Sequence, residues 1–126
     1  MRESLEKTAK EKNLKNIIFA GFQNQTEIVK FYTAADIFVR ADEAHKGDWG
    51  ATVNESMICG TPVVCTDTIG AGEDLVRVDE TGYRYPLGDT NKLAEILRNL
   101  ITDEKEREKL GEQAKKFIET WGYNED

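Results

Sequence analysis

The sequence predicts an α/β domain in which a parallel sheet is sandwiched between helices. Three short runs, N-I-I-F-A-G at 16–21, I-F-V at 37–39 and P-V-V-C-T at 62–66, are rich in β-branched and aromatic residues. They are apolar without alternation, the mark of strands covered on both faces. Segments with apolar residues at helical spacing lie between them, and that alternation is how crossovers join parallel strands. Right-handed crossovers put the strand-to-helix loops along one edge, where open α/β sheets bind ligands.

Taken in order, residues 1–13 carry charges around Leu5 and Ala9, which suits an exposed helix ending at Asn13. Residues 16–21 are expected to form a buried strand closed by Gly21. Asn24 with Glu27 makes a capping-box pattern, and Ile28, Phe31, Tyr32 and Ala35 follow at helical spacing. After the strand at 37–39 and a polar connection over 40–46 comes a central helix, ended by Gly60 and Pro62, and then the strand at 62–66. The stretch D-T-I-G-A-G-E-D-L-V leads through a loop into a short helix reaching about Val78, residues 79–82 turn, and 83–86 form a last short strand. Asp89 caps a helix with the stripe Leu93, Ile96, Leu97, Leu100 and Ile101, and Asp103 with Glu106 starts another carrying Leu110, Ala114, Phe117, Ile118 and Trp121. Stripes this regular belong against the domain's own sheet.

With 126 residues the chain is one domain, able to bury roughly two thirds of its unfolded surface. Its 24 acidic residues against 17 Lys and Arg give a formal charge of −7, which argues against nucleic acid or an anionic membrane as main partner. A small anionic ligand is compatible with that charge, because local backbone dipoles act at short range. Cys59 and Cys65 stand six apart with His45 as the one histidine, which argues against a zinc site or a disulfide framework and for a reducing cytoplasm. There is no signal-peptide core and no apolar run near the ~20 residues of a membrane span.

The chain is organised around G-D-W-G-A-T-V-N-E-S-M-I-C-G-T-P at 47–62. Glycines frame Asp48 and Trp49 ahead of the helix, whose first-turn N–H groups and dipole form a docking place for a diphosphate. Glu55, one turn in, is placed to take hydroxyls. A structural alternative fits the same residues: Thr52 and Glu55 match the S/T-x-x-E capping box, and Asp48 is a second candidate cap, either of which would leave nothing for a ligand.

Other signals are weaker. D-E-A-H at 42–45 follows a strand as a helicase element would, but no G-x-x-x-x-G-K-[ST] accompanies it. Gly70-Ala71-Gly72 begins like a dinucleotide fingerprint whose third glycine position holds Leu75. His45 lacks a nucleophile context and reads as a solvated loop residue.

In order and spacing, N-I-I-F-A-G-F, A-A-D-I-F-V, D-W-G-A-T-V-N-E-S-M-I-C-G-T-P-V-V-C-T-D and G-Y-R-Y-P-L-G-D resemble the C-terminal, donor-binding half of retaining GT-B glycosyltransferases of family 4, the glycosyl transferases group 1. The resemblance runs from about residue 5 to 121. It implies a Rossmann-like half-fold that binds a nucleotide-diphosphate sugar such as a UDP- or GDP-sugar, without a metal or a dinucleotide cofactor. It assigns Gly50, Ala51 and Thr52 to the diphosphate, Glu55 to the ribose hydroxyls, and Gly21 with Phe22 to the base, with Asp48 and Trp49 beside them. Preoriented donors at the leaving diphosphate would stabilise the charge that grows there.

Two departures shape the expectation. Gly47 stands where the family carries the first of two glutamates, the nearest acids being Glu43 and Asp48. The resemblance also implies an N-terminal acceptor domain, and before residue 1 a further strand with basic residues. The expectation is therefore a truncated donor domain over 1–126, inactive by itself because no acceptor cleft aligns the sugar, from an enzyme of polysaccharide or glycolipid assembly at the inner membrane face. A non-catalytic nucleotide-binding or regulatory module is the alternative. A sugar-nucleotide epimerase fits less well, since its acids and histidines find no positions here.

Overall fold

The structure, a computed structural model, describes residues 2–21, 23–41, 50–76 and 80–121, with the side chains of Arg2, Glu73 and Trp121 left out. Outside that set lie Phe22, Gly47, Asp48, Trp49, the 42–45 motif with Glu43 and His45, Val78 and Asp79.

Helix α1 (Arg2–Glu11) stops as its sequence predicts. Asn13 takes a left-handed φ of 55°, and the N–H groups of Leu14 and Asn13 reach back to the carbonyls of Ala9 (2.9 Å) and Lys10 (3.1 Å), a Schellman ending. Helix α2 (Gln25–Ala34) begins at Asn24, whose side chain accepts the Glu27 N–H at 2.8 Å. Strand β1 (Phe38–Arg40) leads to α3 (Ala51–Ile58), and β2 (Val63–Thr66) to α4 (Gly70–Leu75), shorter than the predicted helix to Val78. Strand β3 (Gly82–Tyr85) is followed by α5 (Thr90–Thr102), capped by Asp89, and α6 (Glu104–Trp121), whose Glu106 N–H donates to Asp103.

The three strands are parallel in the order β1-β2-β3. One face of the sheet packs Val63, Cys65 and Phe38 against Val53 and Met57 of α3, Ala71 and Leu75 of α4, and Ala114 of α6. The other packs Val64, Tyr85 and Tyr83 against Ile96 and Leu100 of α5 and Leu110 of α6. Helices thus cover both faces, as the unbroken apolar strands require.

Two expectations are corrected. Residues 16–21 are not a strand among the described residues, and Ile17 and Ile18 are 46% and 90% exposed rather than buried. A β-branched run is only a candidate strand; a ladder needs a neighbour, and β1 finds its neighbour in β2. Ile101, placed on the α5 stripe, is 64% exposed: Ile96 and Leu100 fill the seam and Ile101 falls beyond its edge. No helix among the described residues is long and apolar enough to cross a membrane.

Candidate functional site

The site is built where β1 ends and α3 begins, at the carboxyl edge of the sheet. Gly50 is the N-cap of α3 and is left-handed, with φ 92° and ψ 55°. A Cβ there would lie 2.6 Å from Ile69 Cγ2 and 3.2 Å from Arg40 Nη1, so both the conformation and the space call for glycine. Gly50 supplies the cap and has no side chain, so among the described residues no side-chain cap bond closes this end. The Gly50 carbonyl accepts the Val53 N–H at 3.0 Å, and among the described residues the N–H groups of Ala51 and Thr52 have no hydrogen-bond partner.

The capping-box alternative is not what forms. Thr52 is the second residue inside the helix rather than its cap, and its hydroxyl accepts from Arg40 Nη1 at 3.3 Å. Glu55, its would-be partner, turns toward α2, where Oε2 accepts the Tyr32 O–H at 3.0 Å. Partly buried, Glu55 borders a cavity of about 360 Å³ shared with Gln25, Ile28 and Val29.

Tyr32, read from the sequence only as one of the residues at helical spacing on α2, is a member of this site. It is 4% exposed, its ring meets Phe38 edge to face at 5.4 Å, and its backbone carbonyl accepts from the Thr61 hydroxyl at 2.5 Å. Its phenol is pushed up to about 12, first by burial, then by the hydrogen bond to Glu55 and the negative charge there; Cys59 adds to the rise and Arg40 opposes it. Helical spacing had put Ile28 and Tyr32 on one face of α2, but which residue of α3 they meet is a tertiary fact.

Gly21, left-handed at φ 76° and exposed, lies in the connection that enters α2, whose first turn supplies Gln25 to the cavity. The structure therefore gathers Gly50, Ala51, Thr52 and Glu55 on one helix end and brings α2 against it. Phe22, Asp48 and Trp49 lie outside the described residues.

A second feature escaped the sequence. Strand register aligns Arg40 with Cys65 and Cys65 with Arg84, so two guanidinium groups flank a buried thiol in one row near the carboxyl ends of the strands. Burial pushes the Cys65 thiol up to about 11 although Arg84 and Arg40 both pull it down. The Arg84 Nε is buried without a hydrogen-bond partner. Among the described residues, no three His, Cys, Asp or Glu side chains group to hold a metal.

The family model for glycosyl transferases group 1 matches residues 1–117. The chain is 32% identical over 91 residues to the capsular polysaccharide biosynthesis glycosyltransferase CapM of Staphylococcus aureus, covering 72% of this chain and 23% of that protein. Among solved structures, the C-terminal domain of the glycosyl transferase group 1 family protein LpcC from Francisella tularensis is similar with a TM-score of 0.84 and 30% identity, over 94% of this chain and 60% of that one. HepE from Anabaena, solved with UDP-glucose, is similar with a TM-score of 0.83 and 25% identity, over 94% of this chain and 32% of that one. The fold matches the Rossmann-like C-terminal domains of GT-B glycosyltransferases. The chain spans about a quarter of the length of the curated relatives it matches.

Proposed function

The chain belongs to the glycosyl transferases group 1 family, and from that premise we propose that it is the C-terminal, donor-binding half of a retaining family 4 glycosyltransferase. It binds a nucleotide-diphosphate sugar, and a partner acceptor domain completes the cleft in which the sugar moves. The observation that carries this reading is the α3 start. Gly50, left-handed, leaves the N–H groups of Ala51 and Thr52 unpaired, with Glu55 one turn along beside a cavity of about 360 Å³.

The chemistry follows from that arrangement. As the bond to the sugar breaks, negative charge grows on the leaving diphosphate, and fixed N–H dipoles at a helix start stabilise it without reorganising. The Glu55 carboxylate accepts hydrogen bonds from the ribose hydroxyls and fixes the nucleoside relative to that helix end. Gly21 and Phe22 take the base. Backbone dipoles do this work without a resident metal or cofactor. UDP-glucose in HepE supports a nucleotide-sugar donor, and the capsular role in the name of CapM supports a place in polysaccharide assembly. The proposal extends to glycolipid assembly as an alternative and puts the reaction in the cytoplasm, at the inner face of the membrane.

Amide NMR of the 126-residue chain tests the reading. Millimolar UDP or GDP is expected to shift the amides from Gly50 to Glu55; silence there overturns it. A non-catalytic nucleotide-binding module is the second reading, favoured by Gly47 in the place of the family's first glutamate. Both bind nucleotide, and sugar transfer by the full-length protein separates them.

A further inference from the structure

We propose that Tyr32 is a positioning residue for nucleotide recognition: its phenol holds one oxygen of the Glu55 carboxylate so that the other is presented, already oriented, to the ribose hydroxyls. This rests on the donor-binding reading above. A glutamate side chain has three rotatable bonds, and fixing them at the moment of binding costs affinity that a preorganised carboxylate keeps. Tyr32 is suited to supply the fixing. Its ring is packed on Phe38, its O–H lies 3.0 Å from Glu55 Oε2, and its own backbone is tied to the turn after α3.

That tie closes a ring. The Thr61 hydroxyl donates to the Tyr32 carbonyl, the Thr61 N–H donates to the Ser56 carbonyl at 3.1 Å, and the Ser56 hydroxyl donates to the Thr61 carbonyl at 3.2 Å. Ser56 is the residue next to Glu55. The phenol and the carboxylate are thus held from both sides by buried groups, Ser56 and Thr61 being 0% and 2% exposed. Gln25 and Ile28 border the cavity two turns and one turn before Tyr32 on α2, together with Glu55 of α3. A carboxylate that accepts one bond from a rigid phenol retains acceptor sites for a diol.

The test compares UDP with 2′,3′-dideoxy-UDP, which lacks the hydroxyls, by calorimetry on the 126-residue chain. Tyr32→Phe is expected to weaken UDP about five- to twentyfold and to leave the dideoxy ligand within about twofold. In a Glu55→Gln background the same change adds no further loss, since the bond it removes has lost its charged acceptor. Thr61→Val, which unties the Tyr32 carbonyl and leaves Glu55 unaltered, is expected to give the same ligand pattern in weaker form and stands in if Tyr32→Phe does not fold. If wild type prefers UDP but Tyr32→Phe binds it unchanged, or loses both ligands equally, the positioning role is overturned and the donor-binding reading stands. Absence of UDP binding by wild type overturns both.

Discussion

The carbonyl oxygen of Gly60, at the turn that ends α3, occupies the space that a Cβ on Gly111 of α6 would need. Two backbones meet there without a side chain between them, which lets α6 lie over the α3 turn while Leu110 and Ala114 on either side are fully buried. In an exposed helix Gly→Ala gains up to about 1 kcal/mol of helix propensity. Here the clash is with backbone, and it decides the sign. Gly111→Ala is expected to destabilise the domain by about 1 to 3 kcal/mol in urea unfolding.

At the other end of α3, Gly50→Ala meets two penalties at once. A left-handed alanine costs about 1 to 2 kcal/mol, and its methyl would press on Ile69 Cγ2 at 2.6 Å. Ile69 is fully buried and has no room to yield. A loss on the order of 3 kcal/mol is expected, together with loss of the UDP-induced shifts at Ala51 and Thr52 in the fraction that still folds.

Much of this was legible in the sequence, and what was not shares a cause. Asn24, Asp89 and Asp103 cap the helices they were expected to cap, because a cap is a contact over three residues. Gly50 and Gly60 mark the two ends of α3 for the same local reason. The run at 16–21 has strand composition, but composition does not say whether a partner lies alongside. Thr52 with Glu55 fits a capping box, and a helix start displaced by two residues, from Thr52 to Gly50, makes the pattern void. The Tyr32 to Glu55 bond joins residues 23 apart, and the Arg40, Cys65 and Arg84 row exists only once the strands are in register. Periodicity reports neither.

Alkaline pH is expected to unfold the domain in two overlapping steps. Cys65 has its pKa raised from 9.0 to about 11 by burial, and Tyr32 from 10.0 to about 12 by burial and by Glu55. Both groups are neutral when protonated, and the folded state holds that form more tightly than the unfolded chain does. Their contribution is therefore complete below pH 9 and is lost as pH rises, through about 11 for the thiol and about 12 for the phenol. For the thiol the loss is about 3 kcal/mol. Urea midpoints across that range check it, and Cys65→Ala is expected to remove the earlier part of the fall.

Arg84 offers a prediction of the opposite sign. Its Nε is buried without a hydrogen-bond partner, and a donor taken out of water and left unpaired costs about 1 to 3 kcal/mol. Arg84→Met keeps an unbranched stem of similar reach and removes the donor, so it is expected to raise stability by about 1 kcal/mol. The same change removes a positive charge that pulls the Cys65 thiol down. The thiol pKa should then rise further, and the first alkaline step should move to higher pH. Thiolate absorbance during a pH titration reads that shift directly. A variant less stable than wild type, with an unmoved thiol, would mean that the guanidinium finds its partner by reaching outward past Asp67 and Pro86, which border the cavity beside it.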